Sequence, residues 1–345
     1  MIDDLLRATV RDLADESGTP HGLAARALAD GHRIRRNRRT ATVAAALAAV
    51  LAVTVPIVIA RTPADETRPL PAATVTVAPA PAFKQTEVFT GPGGVPLLSI
   101  EDRTKTFVLN PKTGGYRELP AGVVWIEPSP DGRRAVVGRE NSEKVEILDL
   151  RTGESWRTAV TRTSNVSWSG DGSRVLVSHE TGYSIIEPAR RRSTDRTIEP
   201  GQLACLEFCE FTWFAGDTRI ALPQVSKLGE QESRVSGVAT FEANSGTVIE
   251  QLPIKALPID QFSASPDGRL LLTRQNQSPE QISMIEIASQ REIAHFSVAW
   301  SQFLADGTVL AQNGGILTRY AATGAVLEKV ALPPELTGRH LTFGL

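Results

Sequence analysis

The sequence predicts an all-β protein, a six-bladed β-propeller, preceded by a short helical tail and one transmembrane helix. Three observations carry this. The phrase Ser129-Pro130-Asp131-Gly132 returns intact at Ser265-Pro266-Asp267-Gly268, and in altered form at residues 169–172, 215–217 and 305–307. Each interval between copies holds short apolar runs separated by turn residues. Residues 40–60 form a charge-free apolar run with arginines against one end.

Composition sets the outer bounds. A chain of 345 residues with 41% hydrophobic and 22% charged residues is globular, not disordered. A net charge of −2 gives no basic field, so nucleic acid is not an expected partner.

Residues 1–39 are expected to be a cytoplasmic helical tail with an Arg-rich flank. Ile2, Leu5, Leu6, Val10 and Leu13 recur at helical spacing, with Asp3, Asp4, Arg7, Arg11 and Asp12 on the other side. Ser17-Gly18 breaks that stripe, and Thr19-Pro20 supplies an N-cap and first-turn proline for a second helix. Residues 1–32 make either a disordered or membrane-lying tail or a docking segment for a cytoplasmic protein.

Residues 40–60 are expected to cross the membrane. A helix of that length spans about 32 Å, enough for a hydrocarbon core of about 30 Å. Arg33, Arg35, Arg36, Arg38 and Arg39 then hold the N-terminus inside, which places residue 61 onward outside the cell membrane. The long patterned segment before it argues against a cleaved signal peptide. Residues 61–83, with prolines at 63, 69, 71, 79 and 81, read as an extended stalk.

Residues 84–345 carry the repeats. The aspartates of the phrase stand at 131, 171, 217, 267 and 306. After Asp131-Gly132 come RRAVVG, KVEILDL and RTGESWRT; after Asp171-Gly172 come SRVLVS, YSIIEP and RRRSTDRTI. After Asp267-Gly268 come RLLLTR, ISMIEIA and SQREIAHF; after Asp306-Gly307 come TVLAQ, ILTRYAA and TGAVLEKVAL. Strand, turn and strand at a period of about 43 residues is a blade signature. The first unit, GVPLLSI to Pro120, lacks a good first strand, and the chain ends in a lone strand, GRHLTFGL. Letting the last strand complete the first blade closes the ring and removes both exposed edges. The count is then six; seven shorter blades is the alternative.

The repeated phrase is read as a turn. Proline presets φ for the second position, aspartate bonds neighbouring amides, and glycine accepts positive φ. Pro130, Asp131, Gly132, Asp171, Gly172, Asp217, Pro266, Asp267, Gly268, Asp306 and Gly307 are therefore expected to be structural. Trp125, Trp168, Trp213 and Trp300 precede these turns and are expected to pack between blades. Together with Asp149-Leu150-Arg151-Thr152-Gly153, Ser245-Gly246 and Thr323-Gly324, the turns make residues 84–345 resemble the TolB-type, WD-repeat-like β-propellers. That resemblance implies the fold and a family that mostly binds and sometimes catalyses.

Cys205 and Cys209 are the only cysteines, and lie on the side expected to be outside, where a disulfide persists. A Cys-x-x-x-Cys bridge requires a turn at Leu206-Glu207-Phe208, because an extended strand would hold the ends too far apart. No nucleophile elbow, zinc-protease helix or phosphate-binding loop occurs. No catalytic residue, cofactor or metal site is assigned, and the chain is not expected to be an enzyme. The leading expectation is a membrane-anchored binding, scaffold or sensing module with a protein or small-ligand partner at the propeller. The alternative is a propeller hydrolase or lactonase with a metal at the channel mouth, for which Glu127, Asn165 and Asp260 are the candidate ligands. Arg190-Arg191-Arg192 reads as a solvated loop, with contact to an anionic lipid or polymer as the sharper alternative.

Overall fold

Apolar runs such as Ala135-Val136-Val137, Val175-Leu176-Val177 and Leu270-Leu271-Leu272 do not alternate with polar residues. A strand of that kind must be covered on both faces, and the architecture supplies both covers. The computed structural model describes residues 75–102, 105–140, 142–161, 165–205, 209–228, 232–258, 262–274 and 281–345. The tail 1–39 with its arginines, and the apolar run 40–60, lie outside the described residues, as does Asp260. Among the described residues no helix is long and apolar enough to cross a membrane.

Six four-stranded antiparallel sheets follow one another along the chain. Blade one contains β1 (Leu97–Glu101), β2 (Thr106–Leu109) and β3 (Tyr116–Glu118). Blade two contains β4 (Val123–Pro128), β5 (Arg134–Arg139), β6 (Ser142–Asp149) and β7 (Ser155–Thr161). Blade three contains β8 (Val166–Trp168), β9 (Val175–His179), β10 (Gly182–Glu187) and β11 (Arg192–Thr197). Blade four contains β12 (Thr212–Phe214), β13 (Arg219–Leu228), β14 (Glu232–Glu242) and β15 (Val248–Leu252). Blade five contains β16 (Leu257–Pro258), β17 (Leu270–Arg274), β18 (Gln281–Glu286) and β19 (Glu292–Ser297). Blade six contains β20 (Trp300–Phe303), β21 (Val309–Asn313), β22 (Ile316–Tyr320) and β23 (Val326–Ala331). The last strand, β24 (His340–Phe343), returns to pair with β1 and becomes the first strand of blade one. The ring therefore closes on six blades, as the incomplete first unit and the lone last strand predict.

Apolar side chains collect at the seams between blades. Val136, Val145 and Ile147 of blade two meet Trp168, Val175 and Val177 of blade three. Tyr183 and Ile185 meet Phe211, Trp213 and Phe241 at the next seam. At the closure, Leu97, Ile100, Leu341 and Phe343 meet Leu310 and Leu317 of blade six. Alternate residues of one strand thus face opposite neighbours, which explains the unbroken apolar runs.

Two local features refine the repeat. The third-to-fourth-strand turns of blades two, four and six place Gly153, Gly246 and Gly324 at φ of 82°, 76° and 82°. Blades three and five put Arg191 (φ 49°) and Gln290 (φ 56°) at the corresponding bend, so the turn survives without its glycine. The segment leading into the first blade is also engaged. The Ala78 amide donates to Lys329 O (2.8 Å), and the Ala331 amide donates to Ala78 O (3.0 Å), a parallel bridge on the outer strand β23.

Candidate functional site

The intact turns share one bonding scheme. Ser129 Oγ donates to Asp131 Oδ1 (2.6 Å) while accepting from the Arg134 amide (3.0 Å), and Asp131 Oδ1 also accepts the Arg133 amide (3.0 Å). Ser169 with Asp171, and Ser265 with Asp267, repeat it with the same 2.6 Å contact. Asp306 has no serine partner; its Oδ1 accepts the Thr308 amide and hydroxyl (2.9 and 2.6 Å), and its Oδ2 accepts from the Arg319 guanidinium. Bonds from Ser265 and the Arg269 amide hold the Asp267 carboxyl below the usual range. Burial opposes the charge of Asp171, but bonds from Ser169 and Ser173 outweigh it and lower its pKa too. A carboxylate kept ionised by its own loop is a turn-builder and a poor proton donor.

Asp217 departs from this scheme and corrects the equivalence drawn from sequence. Strand pairing matches Phe214 with Arg219, so four residues span the turn and Asp217 falls at the glycine position, with φ 63°. Its Oδ2 accepts the Asp171 amide of blade three (3.2 Å), tying two turns together. Burial, joined by the neighbouring Asp171 charge, pushes its pKa up. The phrase AGD is an inter-blade contact, not a worn copy of the serine–aspartate turn.

The tryptophans sit at the seams. Trp168 Nε1 donates to Glu127 O (2.8 Å), and Trp213 Nε1 to Ser167 O (3.2 Å), each reaching the first strand of the preceding blade. The Arg174 guanidinium lies 4.7 Å from the Trp213 ring centroid, a cation–π arrangement. Trp300 meets Phe343 of the closing strand, with centroids 6.2 Å apart.

Sequence reasoning missed a set of polar plugs at three blades. In blade two, Glu146 on the third strand takes two bonds from Arg139 (Nε 3.0 Å, Nη2 2.9 Å) and one from Arg157 (3.4 Å). The Arg139 bonds, opposed by burial and helped by Ser155 and Arg157, pull its pKa down to about 2. In blade three, His179 Nε2 lies 2.5 Å from Ser184 Oγ, which donates to Asp195 Oδ1. In blade five, Ser283 Oγ donates to Glu292 Oε2 (2.6 Å), with His295 Nδ1 at 3.4 Å. Serine, histidine and carboxylate together suggest a hydrolytic triad, but the order is wrong. A nucleophile needs histidine between itself and the acid, as the base that takes its proton. Ser184 instead occupies the middle, is 1% exposed, and donates its hydroxyl hydrogen bond to Asp195. Burial lowers the His179 pKa against the pull of Asp195, which suits a neutral packing partner.

Among the described residues, one place on the ring is strongly asymmetric. Successive strands are antiparallel, so the serine–aspartate turns open on one face and the second-to-third-strand hairpins on the other. In the other blades the second and third strands have four to eight residues. In blade four, β13 and β14 have 10 and 11, paired out to Leu228 and Glu232. The connection from blade three runs beside this hairpin, where the Ala204 amide donates to Gln224 Oε1 (3.2 Å) and Ala204 O accepts the Val225 amide. That connection carries the Cys205–Cys209 disulfide, with Cα atoms 5.2 Å apart. Cys209 is 3% exposed and packs with Phe211 and Tyr183, so the staple is anchored in the seam below the hairpin.

The remaining sequence candidates fall into ordinary duties. Asn165 O accepts the Ser178 amide, and Glu127 is half-buried beside Trp168. Among the described residues no group of three or more His, Cys, Asp or Glu could hold a metal ion. Arg190 and Arg192 both pair with Glu187, which leaves Arg191 at the bend.

No protein-family model and no curated protein matches the chain. Among solved structures it is similar to Kuenenia stuttgartiensis hydrazine synthase, with TM-score 0.40 and 14% identity over 62% of this chain and 66% of that one. It is also similar to the dihydro-heme d1 dehydrogenase NirN in complex with DHE, with TM-score 0.43 and 18% identity over 76% of this chain and 58% of that one. The chain spans less than two thirds of the length of either structure. At these identities neither likeness extends to chemistry.

Proposed function

We propose that the chain is a single-pass membrane protein of the TolB-like, WD-repeat-like kind, whose outward propeller is a non-enzymatic binding or sensing module. The observation that carries this reading is the blade-four elaboration. A hairpin extended well past its neighbours, flanked by a disulfide-stapled connection, adds surface that ring closure does not need. Loops placed on a rigid scaffold are where recognition concentrates. The partner is a protein docking on that hairpin face. The arginine block and the apolar run 40–60 support the anchor, and the helical pattern of residues 1–32 supports a relay to a cytoplasmic protein.

The test uses crosslinked membranes carrying the full chain, a form lacking residues 1–32, and a form with residues 226–234 replaced by Asn-Gly. Loss of the outer partner only in the shortened-hairpin form is expected, and loss of the inner partner only in the tail-deleted form. Identical recovery from all three forms refutes the docking roles. Protease shaving of intact cells checks topology: survival of the 84–345 fragment would reverse it.

A further inference from the structure

The seam between blades five and six holds a groove that opens on the face of the serine–aspartate turns, opposite the hairpins. Its volume of about 420 Å³ lies within the roughly 300–1,000 Å³ of small-molecule sites. Leu270 and Ile293 give it an apolar lining, Leu270 as a member of the packed seam and Ile293 resting against it. Ala322 and Thr323, in the third-to-fourth-strand turn of blade six, form the other wall. That turn is firmly seated: a Cβ on Gly324 would come within 2.4 Å of Ala294 Cβ, and the Phe296 and Tyr320 rings meet at 4.6 Å. The walls of the groove are therefore fixed before any ligand arrives.

Three charged side chains line it, Arg269, Glu286 and Arg291. Backbone bonds plant each of them. Asp267 Oδ1 accepts the Arg269 amide (3.0 Å), Arg269 O accepts the Ile287 amide (2.9 Å), and Arg291 O accepts the Glu286 amide (2.9 Å). Their heads are open. The Arg269 and Arg291 side chains are 72% and 70% exposed, and among the described residues each has a single carboxylate contact. Arg269 uses only Nε, 3.3 Å from Asp267 Oδ2, which leaves both terminal nitrogens to a ligand. Arg291 reaches Glu286 Oε2 only through Nη2 and only at 4.0 Å, the outer limit of an ion pair. Glu286 Oε2 also accepts Ser289 Oγ (2.5 Å), so Oε1 is left to a ligand. Exposed pairs of this kind hold little energy, and a molecule that satisfies both partners can replace them.

The charge pattern selects the occupant. A purely anionic molecule on the arginines would meet Glu286, and a purely cationic one on Glu286 would meet the arginines. A carboxylate and an ammonium on one carbon answer both, with charge-assisted bonds to each side. We propose that this groove binds a free α-amino acid with an apolar side chain of leucine size. Its carboxylate lies on Arg269 and Arg291, its ammonium on Glu286, and its side chain on Leu270 and Ile293. The site is independent of the hairpin reading, because it uses no residue of blade four and requires no protein partner.

L-Leucine is the probe. Isocaproate lacks its ammonium, isoamylamine lacks its carboxylate, and glycine lacks its apolar body. Each is titrated calorimetrically into the full chain in nanodiscs, with empty nanodiscs as the blank for partitioning into lipid. Leucine is expected to saturate, and each of the three analogues to bind at least about tenfold more weakly. Glu286→Gln and Arg291→Gln are each expected to weaken leucine at least about tenfold without moving the unfolding transition, because neither side chain is buried. An Arg133→Gln control, at the matching turn of blade two, should bind as the parent does. The proposal is overturned if leucine does not saturate, if either one-charge analogue binds as tightly as leucine, or if Glu286→Gln and Arg291→Gln both bind it unchanged. Loss on only one of the two variants would overturn the role given to the other residue, and glycine binding as tightly as leucine would overturn the role given to Leu270 and Ile293.

Discussion

Replacing Glu146 by glutamine keeps the shape of the blade-two plug and removes its charge. Glu146 has a side chain 3% exposed, held by Arg139 and Arg157, whose side chains are 31% and 66% exposed. Its pKa falls from 4.5 to about 2 on folding. At about 1.4 kcal/mol per unit the lowering corresponds to about 3 kcal/mol, an upper value because solvent screens the two open arginines. A depressed carboxyl pKa stabilises fully above the unfolded value and loses that contribution as pH falls through the folded one. The expected result is therefore a Glu146→Gln deficit of up to about 3 kcal/mol at pH 7, shrinking below about 1 kcal/mol by pH 2.5. Urea unfolding followed by tryptophan fluorescence at both pH values measures it. The other low-pKa carboxylates, Asp171, Asp267 and Asp306 among them, titrate in both proteins and drop out of the difference. A gap of the same size at both pH values, or none at pH 7, refutes the electrostatic reading of this plug.

Asp131→Ala and Ser129→Ala each break a shared turn network and should cost about 1–2 kcal/mol, read as a lower urea midpoint with ligand affinity unchanged. Asp217→Asn should behave in the opposite sense: a raised carboxyl pKa gives stability that is present at low pH and lost as pH rises, so the variant should match or exceed the parent at pH 7 in thermal unfolding. Gly182→Ala should abolish folding or cost more than about 3 kcal/mol, measured as soluble yield and circular dichroism, because φ is +151° and a Cβ would lie 2.0 Å from Arg196 O. Reducing the Cys205–Cys209 bridge should cost at most roughly 2 kcal/mol, since the closed loop is short, and a larger fall in melting temperature than that implies would count against a simple staple.

The blade count was legible because a turn is local chemistry: serine, proline, aspartate and glycine within four residues state its geometry directly. The closure was legible because a first unit short of one strand and a lone last strand leave one economical pairing. Asp217 was misread for the same reason, since AGD contains the right letters one place out of register, and only the pairing of Phe214 with Arg219 reveals the shift. The polar plugs were hidden because their members come from different strands. Arg139, Glu146 and Arg157 have no motif spacing, and nothing in single-strand patterning separates a buried glutamate from a surface one. The Ala78 bridge could not be read from a proline-rich stretch, whose composition describes stiffness and not attachment.

That bridge has a mechanical consequence. Tension applied to the chain before Ala78 meets β23 first, where two backbone hydrogen bonds on either side of Val330 hold Ala78 against the rim of blade six. The next holdfasts are the Phe83 ring against Tyr116 (5.7 Å) and the Tyr116 amide on Gln85 O (2.7 Å), both in blade one. The β1–β24 seam that closes the ring lies behind those attachments along the path of the chain. A load on that preceding segment is thus divided between two neighbouring blades before it can pull on the clasp.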